Sequence, residues 1–162
     1  MECKNIKIGI GDLNIAKDPD TLMTIGLGSC IGIALFDKRT KIGGLAHIML
    51  PDSTKFTKVT NELKFADLAI PILIKKMTQA GANKSLIKAK IAGGASMFSF
   101  SDKSMNMDVG ERNIKAVREV LKQNNISIEA EDVGGNKGRT ITLSTVNGML
   151  QIKTIGLGIK EI

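Results

Sequence analysis

Tryptophan and tyrosine are absent from this sequence of 162 residues, histidine occurs once, cysteine twice and proline three times. Each shortage excludes something. Without Trp or Tyr, and with five Phe set mostly in apolar surroundings, the chain has no row of aromatic rings on which nucleic-acid bases could stack. Cys3 and Cys30 are far apart, form no Cys-x-x-Cys and share the chain with one histidine, so neither a disulfide framework nor a zinc site is expected, and no cofactor. A Cys3–Cys30 disulfide is disfavoured by the reducing cytosol these features point to. No apolar run approaches the ~18 residues of a membrane span, and the opening MECKNIKIGIGDLN lacks the layout of a secretory signal. A cytoplasmic protein without direct membrane insertion is the expectation.

What is present is an ordinary apolar fraction of 43% and an excess of positive charge, 23 basic against 16 acidic residues. The net charge of +7 steers the chain towards acidic partners. Its lysines are scattered (Lys4, Lys17, Lys75, Lys88, Lys115, Lys137) instead of forming a block, which favours an acidic protein surface over nucleic acid. The length suits one domain over 1–162 with enough chain to bury a real core.

Residues 5–10 alternate like a strand, GDLNIAKDPD reads as a loop, and 21–27 form a second strand. From Glu62 to Ala80, Leu63, Ala66, Ile70, Leu73, Ile74 and Met77 follow helical spacing, with a kink or restart expected at Pro71. LIKAKIA at 86–92 is a strand ended by Gly93-Gly94, and ASMFSFSDKSMNMD is irregular. A second helix runs from Gly110 to Gln123 with Ile114, Val117, Val120 and Leu121 on one stripe. Strands at 126–133 and 138–145 flank GGNKG, which lacks the Lys-Ser/Thr of a phosphate loop and reads as a tight turn. Asn147-Gly148 then turns the chain into MLQIKTIGL. The sum is an α+β fold with mixed or antiparallel sheet and two long helices.

The chemistry concentrates between Thr24 and Pro51. IGIALF (31–36) and IGGLAHIML (42–50), joined by the polar DKRTK, form a β-hairpin. A turn centred between Lys38 and Arg39 sets Cys30 directly opposite His47 on one face, where opposed Cβ atoms lie roughly 4.5–5.5 Å apart, whereas a longer Asp37–Lys41 loop sets the two diagonally. A neighbouring imidazole can activate a thiol and lower its pKa, and the amides of the turn around Gly28 and Ser29 face an incoming carbonyl oxygen. A buried cysteine is otherwise most often a small hydrophobe, and a lone histidine most often structural. Thr24 is a neutral candidate to orient the ring, although spacing alone makes it an ordinary strand threonine.

Taken in order, TIGLGSCIGIALFD, GGLAHIMLP, FADLAIPILIKKM, AKIAGGASMF, VGERN and DVGGNKGRTI resemble the CheD family of chemoreceptor glutamine deamidases over nearly the whole chain. The resemblance implies a catalytic Cys30, His47 and Thr24; the residues themselves offer the turn amides around Gly28, Ser29 and Cys30 as oxyanion donors and no metal site. It implies hydrolysis of glutamine side-chain amides in the cytoplasmic domains of methyl-accepting receptors, and a second partner, a CheC-type phosphatase. It also implies a layered α/β/β/α fold resembling the cysteine hydrolase domains of cytotoxic necrotizing factors. Two other readings follow from the same residues: a mainly non-enzymatic regulator of the CheC-type phosphatase, and a thiol protease or transglutaminase, which differs only in the acyl donor and acceptor.

Overall fold

Each alternating run buries one side, and that side decides which sheet it joins. The computed structural model describes residues 2–97 and 108–162. Among these, one five-stranded sheet has the order β1 (Asn5–Ile8), β3 (Thr21–Leu27), β8 (Arg139–Ser144), β9 (Leu150–Thr154), β10 (Gly158–Glu161). The other has the order β2 (Asp12–Lys17), β5 (Ile42–Ile48), β4 (Ile31–Asp37), β6 (Ile87–Gly93), β7 (Ser127–Val133). Both sheets are mixed: β1 runs parallel to β3 and β7 parallel to β6, and the other pairs are antiparallel.

The second sheet is apolar on both faces, and β4 and β5 therefore read as nearly continuous apolar runs. Ile31, Ile33, Leu35, Ile42, Ala46 and Ile48 meet the two helices, α1 (Ala66–Gln79) and α2 (Val109–Gln123). The helices answer with Ile70, Leu73, Met77, Val117 and Leu121, all fully buried. Ala34, Leu45 and Ala92 turn the other way and pack on Leu22, Leu27, Ile141, Leu143 and Ile152 of the first sheet. Complete burial of side chains of this size stabilises the fold by roughly 1.5–3 kcal/mol each. Space between the sheets is tight: a Cβ on Gly32 would stand 2.4 Å from Ile141 Cδ1.

The α+β class, the mixed sheets and the two long helices agree with the sequence. Both helices cover the same face of the β2–β5–β4–β6–β7 sheet, so the described residues form three layers, helix on sheet on sheet. The outer helical layer of the α/β/β/α scheme has no counterpart among them.

Other expectations change in detail. GDLNIAKDPD is a strand for six of its ten residues: β2 pairs with β5 from Asp12↔His47 to Lys17↔Ile42. It escapes notice because it is an edge strand, where Asp12, Asn14 and Lys17 are tolerated and blunt further pairing. The helix expected from Glu62 starts at Ala66 after a short 3-10 turn, and it runs through Pro71 as one element. Pro71 removes only the hydrogen bond to the Asp67 carbonyl. β10 is a further strand that the sequence pattern does not separate from the run before it. The irregular stretch expected over 95–108 lies largely outside the described residues.

Candidate active site

Four residues, Lys38–Lys41, join β4 to β5, and they set the register. The buried Asp37 carboxylate accepts from the Arg39 amide (2.9 Å), the Thr40 amide (3.4 Å) and the Asn83 amide (2.8 Å), while Lys41 closes the turn with φ +56° and donates its amide to the Asp37 carbonyl. Burial alone would raise the Asp37 pKa, but these hydrogen bonds outweigh it and the group titrates below its ordinary range. The turn is therefore centred between Arg39 and Thr40, one residue later than expected, and Gly32, not Cys30, stands opposite His47. Cys30 lies just before β4, diagonal to His47, a relation that separates side-chain origins by about 7–8 Å. The two residues still share a face, because the shift is by two: Cys30 packs against the inter-sheet core into which His47 points.

Across that core stands Thr24, on β3 of the opposite sheet. Its Oγ1 lies 2.7 Å from His47 Nδ1 and 2.7 Å from the Ile8 carbonyl oxygen, and Thr24 and His47 are 1% and 0% exposed. The hydroxyl has one proton and the carbonyl can only accept, so Thr24 donates to Ile8 and accepts from Nδ1–H. This assigns the tautomer: Nε2 carries the lone pair. Nε2 is buried and makes no hydrogen bond among the described residues.

Electrostatically, the pair rests uncharged. Burial lowers the His47 pKa from 6.5 to about 4. Burial also pushes the Cys30 thiol above its ordinary 9.0, more than its own backbone amide lowers it. The expected lowering of the thiol pKa by the imidazole is thus not a property of the resting site, since no ion pair forms there.

The folded pKa of His47 lies below the unfolded one, so the unfolded chain binds the extra proton between pH 6.5 and about 4, and stability falls as pH falls through that window. Relative to His47→Gln, wild type is expected to lose about 2–3 kcal/mol of unfolding free energy between about pH 7.5 and about pH 4.5. Urea denaturation of both proteins at the two pH values measures it, and parallel losses would contradict it.

The turn leading to Cys30 is held from its carbonyl side. Gly28 O accepts from the Ala95 amide (2.8 Å), Cys30 O from the Gly94 amide (2.8 Å) and Ser29 O from Asn113 Nδ2 (2.9 Å). Of the amides, that of Gly28 is directed to Gly26 O (3.2 Å), which takes it out of the expected oxyanion set. Those of Ser29 and Cys30 have no carbonyl acceptor among the described residues. Gly93-Gly94 is, as expected, a close backbone approach: a Cβ on Gly93 would stand 2.2 Å from Cys30 O. GGNKG carries the chain from one sheet to the other, and Arg139, 8% exposed, ties it down by donating to Gly93 O, Gly134 O and Asp132. Asn113 and Arg139 stand in the stretches VGERN and DVGGNKGRTI, but both are distant from the thiol and the imidazole in sequence and their partners are backbone carbonyls and a carboxylate, so spacing gives neither a role. Cys3 is exposed, and both cysteines are free. No group of three or more His, Cys, Asp or Glu suited to a metal occurs among the described residues, and no helix there is long and apolar enough to cross a membrane.

These features define an α+β protein of two face-packed mixed sheets, with a thiol, an imidazole and a hydroxyl gathered at the seam between them. The fold is shared with the crystal structure of the Bacillus licheniformis hypothetical protein YfiH, at a TM-score of 0.51 and 15% identity over 77% of this chain and 51% of that one. Residues 49–154 match the family model described as CheD chemotactic sensory transduction. A Clostridium botulinum (strain Hall) protein named "Probable chemoreceptor glutamine deamidase CheD" is 65% identical over the full length of both chains. One of the same name from Clostridium tetani is 64% identical over 100% of this chain and 98% of its own. The chain belongs to the CheD family.

Proposed function

We propose that this protein is a cysteine-dependent glutamine deamidase of chemoreceptors, a single domain working in the cytoplasm, with Cys30 as nucleophile, His47 as acid and base, and Thr24 as the group that orients the imidazole. The names of its relatives support the reaction, and one observation supports the roles: Thr24 and the Ile8 carbonyl leave the lone pair on Nε2, the form of imidazole that can take a thiol proton. In the reaction Cys30 loses its proton to Nε2 as sulfur bonds to the amide carbon. The electron pair displaced from the C=O bond rests on oxygen, held by the amides of Ser29 and Cys30. Collapse restores the carbonyl and breaks the C–N bond, and His47 gives its proton to departing ammonia. Water, deprotonated by neutral His47, then attacks the thioester, releasing glutamate and returning the proton to sulfur.

A resting neutral pair suits this scheme. A thiolate is generated only when a substrate amide is present to receive it, which keeps a nucleophilic sulfur from reacting with whatever else reaches the cleft. A CheC-type phosphatase is the proposed regulatory partner, in line with the family resemblance and with the +7 charge that favours acidic protein surfaces. Incubation of the protein with a receptor cytoplasmic fragment, followed by peptide mass spectrometry, is expected to convert particular glutamines to glutamate. An unmodified fragment would leave the regulator reading, and a cleaved or cross-linked one the protease or transglutaminase reading.

A further inference from the structure

Beyond Cys30, His47 and Thr24, we propose that Asn113 is a positioning residue, a clamp that fixes the spacing between nucleophile and base by holding both of their backbone segments through one amide group. The inference rests on the deamidase reading above. Asn113 sits in the second turn of α2, a helix started by the Asp108 side chain accepting from the Glu111 amide. Its neighbours in the stripe, Ile114 and Val117, are apolar, yet Asn113 is 0% exposed. Its Nδ2 donates to Ser29 O at 2.9 Å and to Met49 O at 3.1 Å. Ser29 immediately precedes Cys30, and Met49 lies two residues beyond His47.

Those two carbonyls stand where the ladder has run out. Pairing of β4 with β5 ends at Ile31↔Ile48, so no strand bond joins the Cys30 segment to the Met49 segment. Asn113 supplies the missing rung from a third element. Both acceptors are carbonyl oxygens, which forces the NH2 group towards them and leaves Oδ1 on the far side, buried and without a partner among the described residues. A buried acceptor left unpaired is destabilising, so a residue chosen for packing alone would be apolar here. α2 itself is pressed against the site: a Cβ on Gly110 would stand 2.5 Å from Ala95 O and 2.7 Å from Gly94 O, the segment whose amides hold Gly28 and Cys30. The helix, the thiol turn and the exit of the imidazole strand are thereby joined into one rigid unit. Reacting groups held to the wrong spacing by about 1 Å lose on the order of 100-fold in rate, so the spacing is where such a clamp acts.

Asn113→Leu removes both hydrogen bonds and the unpaired Oδ1 with the same number of side-chain heavy atoms, and Asn113→Asp keeps the shape while replacing the donor with an acceptor. Turnover of a receptor fragment is measured per folded molecule, with the folded fraction read from the urea unfolding curve of the same preparation. In both variants kcat is expected to fall about 10–100-fold while KM stays within about twofold. The NMR titration midpoint of the only imidazole is expected to rise from about 4 towards 6.5 as the loosened segments admit water. A residue with a merely structural role would lower the urea midpoint and leave kcat per folded molecule unchanged, and that result would overturn the clamp. Failure of both variants to fold would overturn it too, making Asn113 a folding residue. Should wild type itself release no ammonia, the deamidase reading fails, and the imidazole titration decides the clamp without it.

Discussion

Cys30→Ala is expected to abolish ammonia release from a receptor fragment, a fall of about 10,000-fold or more, while the protein stays folded. No second thiol could take the proposed role of Cys30: the other cysteine, Cys3, is exposed and lies against the Pro19 carbonyl, away from the inter-sheet core. Folding is expected to change by no more than about 1 kcal/mol, because the thiol is only partly buried and what fixes the turn is its carbonyls, not its side chain. A coupled ammonia assay and urea denaturation of the same preparation separate the two effects. Retained ammonia release would remove Cys30 from the mechanism, and Cys3→Ala, expected to behave as wild type, serves as the control.

Gly93→Ala is expected to be the most destabilising single methyl group that can be added near the site, by more than about 3 kcal/mol. A Cβ there would stand 2.2 Å from Cys30 O, 3.2 Å from Cys30 C and 3.3 Å from Ile31 Cα, all backbone atoms that no rotamer change can move aside. The residue also has φ +115°, a conformation that strains any side chain. Relief requires parting β4 from β6 at Ile31↔Gly93, which breaks the adjacent bond from the Gly94 amide to Cys30 O. The urea midpoint and the rate of Cys30 alkylation should change together. A wild-type midpoint would mean that the backbone accommodates the methyl group without disturbing the thiol turn.

The site was readable from the sequence to the extent that it is local. Parity along β4 and β5 placed Cys30 and His47 on one face, and a shift of the turn by one residue preserved that result because it moved the register by two. What failed was the opposition itself, since the Asp37 carboxylate organises a four-residue connection through contacts with Asn83, far away in sequence. Thr24 shows the same limit. Its spacing from Cys30 carries no signal, and its contact with His47 exists only because two sheets stack, a fact of packing that the family resemblance supplied and alternation could not. Asn113 and Arg139 act on backbone carbonyls, and carbonyls are identical at every position of a sequence. The α1 and α2 stripes, by contrast, were plain, because each is written within one turn-by-turn repeat.

The division of the three groups between layers has a developmental consequence. Thr24 belongs to one sheet and His47 to the other, with Cys30 at the lip between them. A newly made chain whose strands have formed but whose sheets have not yet docked holds the hydroxyl and the imidazole on separate surfaces. The ring is then free to take either tautomer, and the thiol is open to water. The orientation of the ring is therefore a property of the packing between the two layers and of neither layer alone.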